Sequence, residues 1–170
     1  MWQEYLWEGL REAIRLIVTG DPELVEITLR SLQVSFYAIL MASTIGVPLG
    51  AMIGMREFKG KKLFKTIFTT LIGMPTVALG LILFLLLARN GPFGYLELLY
   101  TIQGISLGEA ILVIPIVVSF TASAIESRDI RLRDLAHTLG ASELDTSVTV
   151  LQEASDAIAL AVVAAFNRAF

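Results

Sequence analysis

Within the apolar tracts of this protein, the side chains able to do chemistry are few. Thr76, Ser119 and Thr121 carry hydroxyls that could hydrogen-bond an anion. In helices such hydroxyls more often bond back to their own backbone. Glu109 is the one ionisable group read inside an apolar tract. Ionisable groups there are costly and point to function by default, but Glu109 lies near the outer boundary and reads as an interfacial, solvated carboxyl. The sequence has no cysteine and one histidine, His137. That excludes disulfides, thiolate zinc sites, a cysteine nucleophile and a multi-histidine metal centre within one polypeptide. Gly60-Lys61-Lys62 has neither the spacing nor the hydroxyl residue of a phosphate-binding loop. Nothing resembles a nucleophile elbow or an acid–base pair in a wet pocket. The expectation is a protein with no catalytic residue, no metal and no bound cofactor.

The elements that carry these groups follow from composition. The chain has 170 residues, of which 55% are hydrophobic and 17% charged, with a mean hydropathy of +0.73. Soluble domains carry about 25% charged residues. The deficit here is concentrated in long uncharged tracts, which is the pattern of an all-α integral membrane protein. A net charge of −3 supplies no basic field for nucleic acid.

Residues 1–20 form a separate amphipathic helix. Glu4, Glu8, Arg11, Glu12 and Arg15 recur at helical spacing, opposite Trp2, Leu6, Leu10, Ala13, Ile14 and Ile17. With Trp2, Tyr5 and Trp7 suited to the headgroup zone, this helix reads as interfacial, in contact with membrane lipid. Packing against the bundle is the open alternative. Gly20-Asp21-Pro22-Glu23 then predicts a helix end, an N-cap and a proline in the first helical position. The remainder, 21–170, reads as one transmembrane domain. Spans are predicted at about 31–55, 66–88 and 107–125, with a fourth tract over 157–170. The fourth reaches only from Ala157 to Asn167 before Arg168, short of the roughly 20 residues a span requires. It is therefore expected to be incomplete, and the sequence to be truncated at its C-terminal end.

Arg56, Lys59, Lys61, Lys62 and Lys65 fill the first interspan loop against a single acid, Glu57. The positive-inside rule places that loop in the cytoplasm. Two spans later, the loop 126–153 returns to the same side. The loop Asn90–Gly104, almost without cations, lies outside, and the N-terminal helix with it. In loop 126–153, Leu132, Leu135 and Leu139 share one helical face with Ala136, while Arg133, Asp134 and Thr138 turn away. Gly140 suits a helix end, and Ser142 with Asp145 offers a capping box for the next helix. A small apolar helix on the wet side of a membrane needs a partner to cover it, which points to a docked soluble subunit.

Two patterns inside the spans concern packing. Ala42, Gly46, Gly50 and Gly54 recur every four residues, a small-residue row that admits another backbone at close range. An internal helix contact is the favoured reading, and a subunit interface the alternative. Pro48, Pro75 and Pro115 place one proline in each of the first three spans as candidate hinges.

These residues resemble those of the membrane permease subunits of ABC importers for molybdate, sulfate and especially tungstate. Family members carry a cytoplasmic Glu-Ala-Ala, three residues, Gly pattern, matched here by Asp134, Leu135, Ala136, then His137-Thr138-Leu139 and Gly140. The acid is aspartate and the first alanine is leucine. The later Leu-Pro of the common form is replaced by Gln152-Glu153, and Glu153-Ala154 is similar to the tungstate-type branch. The stretches 71–80, 89–94 and 110–116 are similar to the family's second span, outer loop and third span. The resemblance implies a type I ABC importer permease (MetI-like) bundle in a bacterial or archaeal cytoplasmic membrane. It implies as partners an ABC ATP-binding subunit that docks on Asp134, Leu135, Ala136, Leu139, Gly140, Ala141 and Ser142, an extracytoplasmic solute-binding protein and a second permease copy. ATP and Mg would sit on the partner subunit. The alternatives are a truncated, non-transporting fragment, or a membrane scaffold binding another cytoplasmic partner.

Overall fold

The computed structural model describes residues 2–127 and 142–170, and these are helical throughout, joined by turns. Among the described residues, seven α-helices run in the order α1 (Trp2–Thr19), α2 (Pro22–Met55), α3 (Lys61–Ile72), α4 (Thr76–Leu87), α5 (Ile102–Glu126), α6 (Glu143–Glu153) and α7 (Ser155–Ala169). A 3-10 turn, Gly94–Leu96, interrupts the connection from α4 to α5.

The start of α2 is dictated locally. Gly20 takes φ +62°, the left-handed conformation that ends a helix without steric penalty. Asp21 Oδ1 then accepts from the backbone N–H groups of Glu23 at 3.0 Å and Leu24 at 3.3 Å, with Pro22 in the first helical position. None of the described residues of α1 is buried. Leu6, Leu10, Ile14 and Ile17 stay more than half exposed, so α1 does not pack its apolar face on the bundle.

Helices α2 and α5 form the core. They run in the same direction, because Gly46 faces Val117, Gly50 faces Thr121 and Gly54 faces Ile125. Spacings of four on both helices keep the two rows in step along the whole contact. Helix α7 lies across this pair. Ala42, Val113, Ile116, Val117 and Ala165 make one buried cluster, and Ala51, Ile125, Val150 and Ala154 a second at the end where α6 meets α7. At the opposite end Ser35 Oγ donates to the carbonyl of Ala169 at 3.2 Å.

The helices overrun or break the expected spans in three places. Helix α2 begins at Pro22, as the Gly20-Asp21-Pro22-Glu23 signal predicts, so it runs ahead of the uncharged tract 31–55 and extends about 50 Å at 1.5 Å per residue. Helix α5 begins at Ile102, ahead of the tract 107–125. The tract 66–88 is not one helix: α3 and α4 meet at 94° across a short break. The cause is local. Pro75 has no N–H to continue the ladder and biases Met74 away from helical geometry. Gly73 and Met74 instead donate to Thr70 at 3.1 Å and Leu71 at 3.0 Å, tightening the last turn of α3, and Pro75 becomes the N-cap of α4. Pro48 and Pro115, by contrast, lie inside the unbroken helices α2 and α5, which grip one another along their lengths. Helices α6 and α7 also meet at an angle, 61°. Among the described residues two helices, α2 and α5, are each long and apolar enough to cross a membrane, and up to four crossings result if each bent pair counts as one.

Candidate functional site

The segment singled out for partner docking lies mostly outside the described residues: Asp134, Leu135, Ala136, Leu139, Gly140 and Ala141 belong to 128–141. Its two flanks are described, and they converge. Helix α5 delivers the backbone at Glu126, and α6 takes it up at Ser142. Ser142 Oγ accepts from the N–H of Asp145 at 3.2 Å, while the Ser142 N–H donates to Asp145 Oδ2 at 3.3 Å. This is the reciprocal capping box that the spacing predicts. The Ala51, Ile125, Val150 and Ala154 cluster then holds the end of α5 and the α6–α7 corner together.

An ion cluster sits at the same end. Lys61 and Lys65, four residues apart and so on one face of α3, both reach Glu126. Lys61 Nζ lies 3.1 Å from Glu126 Oε1 and 2.7 Å from Glu57 Oε1, and Lys65 Nζ contacts Glu126 Oε2. The Lys61 side chain is 11% exposed, so this is not a fully solvated surface pair. Sequence reasoning assigned these lysines only to topology. The available signal was the lone Glu126 closing α5 on the side where the basic loop was placed.

The small-residue row is an internal contact. A methyl group built at Gly46 would lie 2.9 Å from Val117 Cβ, at Gly50 2.7 Å from the Val118 carbonyl oxygen, and at Gly54 2.9 Å from the Ala122 carbonyl oxygen. Ala42, wholly buried, continues the row against Val113 and Val117.

The three hydroxyl residues do not form one site. Thr76 opens α4 and lines a cavity of about 490 Å³ with Leu83, Tyr100, Glu109 and Arg168. Ser119 faces a narrow crevice beside Lys65 and Phe68. Thr121 is fully buried, its Cβ against Gly50. The hydroxyls of Ser119 and Thr121 make no hydrogen bond among the described residues, contrary to the expected back-bonding. A buried, unpaired hydroxyl costs about 1–3 kcal/mol. The isosteric change Thr121→Val is therefore expected to raise the melting temperature in detergent. A lower melting temperature for Thr121→Val would instead show that this hydroxyl is satisfied by a bond.

Glu109 departs from expectation. Because α5 starts early, Glu109 lies about two turns into the helix. Its Oε2 is buried without a hydrogen-bond partner, at a wall shared by the Arg168 cavity and a second cavity, of about 360 Å³, lined by Arg30 and Ser35. The residue as a whole is half-buried between these two open cavities.

Comparison with known proteins bears on this architecture. Residues 46–170 match the family described as binding-protein-dependent transport system inner membrane component. Over 98% of its length the chain is 34% identical to a tungstate uptake system permease protein of Peptoclostridium acidaminophilum, covering 73% of that protein. It is 38% identical over 86% of its length to a probable anion ABC transporter permease protein of Haloferax volcanii, covering 63%. It is 34% identical over 97% to a tungstate uptake system permease protein of Campylobacter jejuni, covering 69%. The chain thus spans roughly two thirds of the length of these relatives.

Proposed function

Because the chain belongs to the inner-membrane components of binding-protein-dependent transport systems, we propose that it is the permease subunit of an ATP-driven oxyanion importer, with tungstate as cargo. It is a multi-pass protein of the cytoplasmic membrane. The observation that carries the cargo is the similarity over nearly the whole chain to permeases named for tungstate uptake. The membrane-scaffold alternative loses its footing, since the family is one of transport components.

In this reading the protein hydrolyses nothing. ATP and its magnesium are held by an ATP-binding subunit, and the permease binds no cofactor of its own. The partner grasps the segment Asp134–Ser142, whose sequence offers it the apolar residues Leu135 and Leu139. Closure of the ATPase pair pulls on that segment and rocks the helices between inward-open and outward-open states, and hydrolysis resets them. Docking couples the two states only if the segment is bound differently in each. The α2–α5 seam, tight and continuous, moves as one body. The broken α3–α4 pair, which buries little, is the part able to shift against it.

Two permease copies enclose the path, and an extracytoplasmic binding protein delivers the anion. Helix α1, with Leu6, Leu10, Ile14 and Ile17 uncovered, lies on lipid at the outer interface. The test is co-purification and uptake. The tagged permease, co-expressed with the ATP-binding subunit, should retain it in detergent. In liposomes with binding protein and ATP it should then accumulate tungstate. A permease that retains no ATP-binding subunit, or that reconstitutes without ATP-dependent uptake, contradicts the proposal.

A further inference from the structure

We propose that Glu126, clamped by Lys61 and Lys65, is the positioning residue through which movement of the docking segment reaches the broken α3–α4 pair. The inference rests on the proposed function, and adds to it a route that runs through the permease's own side chains.

The placement comes first. Glu126 is the last residue of α5, and only Ser127 separates it from the segment 128–141 that the ATP-binding subunit grasps. A pull on that segment is therefore delivered to the end of α5 at Glu126. The carboxylate is fully engaged there: Oε1 faces Lys61 Nζ at 3.1 Å, and Oε2 contacts Lys65 Nζ. Two oxygens thus grip two successive turns of one helix. A single-point pair would allow α3 to pivot, whereas a two-point clamp carries both displacement and rotation.

The attachment of α3 makes this clamp matter. No residue of α3 is buried. Its apolar anchorage is Phe68 against Ile53, Val118 and Ala122, and Ile72 at its far end against the cluster of Ala42, Val113, Ile116 and Val117, while Leu63, Phe64 and Ile67 remain exposed. An element with so little buried surface is free to shift relative to its neighbours, and follows whatever holds its end. The clamp sits where the side chains are partly shielded from solvent, with Lys61 only 11% exposed, so it is screened less than an open surface pair. At its other end α3 meets the 94° break, beyond which α4 lines the Arg168 cavity through Thr76 and Leu83. The cytoplasmic pull and the cavity wall are therefore joined through the α3–α4 pair, tied at its base by Glu126.

Charge reversal tests this. The assembled transporter, with binding protein, ATP-binding subunit and tungstate as probe, is reconstituted as wild type, E126Q, E126K, and E126K combined with K61E and K65E. The readouts are tungstate transported per ATP hydrolysed, retention of the ATP-binding subunit, and the melting temperature in detergent. E126K is expected to retain the subunit yet lower the transport-to-hydrolysis ratio about tenfold, within the ordinary range of coupling between sites. E126Q should fall between it and wild type. The triple reversal restores opposite charges around position 126, although K61E leaves two acids facing each other at positions 57 and 61, and it should recover part of the ratio. A merely structural role would move the melting temperature and leave the ratio alone. An unchanged ratio in E126Q and E126K, or a triple reversal no better than E126K, overturns the clamp while leaving the proposed function standing. A wild type that holds no ATP-binding subunit overturns the proposed function, and this inference with it.

Discussion

Replacing Gly50 with leucine is expected to abolish the folded bundle, and Gly50→Ala to weaken it measurably. Gly50 lies at the centre of the α2–α5 seam. Even a single methyl group there would approach the Val118 carbonyl oxygen and Thr121 Cβ at 2.7 Å each. The backbone oxygen belongs to the facing helix and cannot rotate away, so relief requires the helices to separate. Separation would also loosen the neighbouring contacts of Gly46 with Val117 and Gly54 with Ala122. Overpacking by one methyl group in a close-packed interior costs about 1–3 kcal/mol, and the full leucine side chain has no space to enter. Thermal unfolding in detergent, followed by size-exclusion chromatography, checks both variants. A monodisperse Gly50→Leu protein with the wild-type melting temperature would show that the seam is not packed as described.

The second large effect is expected at Gly140. Gly140→Glu should leave membrane insertion intact and uncouple transport from ATP hydrolysis. The sequence pattern predicts that this glycine ends a helix carrying Leu135 and Leu139, and in the proposed reading glutamate there opposes the helix end and adds charge at the docking surface. Burying each of those leucines contributes about 1.5–3 kcal/mol, so a displaced docking helix forfeits a factor of about a hundred or more in association. Tungstate uptake into liposomes and retention of the ATP-binding subunit are the measurements. Gly140→Glu with unchanged uptake would remove the docking segment from the mechanism.

What could be read from the residues alone, and what could not, divides along a physical line. Features set by neighbours in sequence were legible. The Gly20-Asp21-Pro22-Glu23 signal reports a helix end, cap and start within a few residues, and those are the bonds observed. The Ser142–Asp145 box is likewise a local exchange of hydrogen bonds. The row Ala42, Gly46, Gly50 and Gly54 announced a close contact through its spacing, because absence of side-chain bulk is visible residue by residue.

The partner of that row was not legible, since Val117, Thr121 and Ile125 meet it only through long-range packing. The bend at Pro75 was legible only as one of three candidate hinges, for a different reason. The tract is uniformly apolar, so composition favours one span, and three spans each hold a proline. What distinguishes Pro75 is Gly73 just before it and the sparse burial of α3 and α4, and only the second of these is tertiary. The surroundings of Glu109 needed the fold, because the cavities it lines are shared with Arg30, Ser35 and Arg168 from distant parts of the sequence. The Lys61–Lys65–Glu126 cluster needed the fold, because its members come from opposite ends of a long stretch of sequence. Of the candidate site itself, the flank at Ser142 is described, and Asp134 to Ala141 rest on the residue pattern and on the family.

The account depends on the docking segment lying where an ATP-binding subunit reaches it. The native protein has no cysteine, so a single Ala136→Cys substitution gives a unique thiol. Its labelling by a membrane-impermeant maleimide, compared between right-side-out and inside-out vesicles, reads the sidedness directly. Modification only in inside-out vesicles, and protection when the ATP-binding subunit is present, is the result the account predicts. Modification confined to right-side-out vesicles would contradict it.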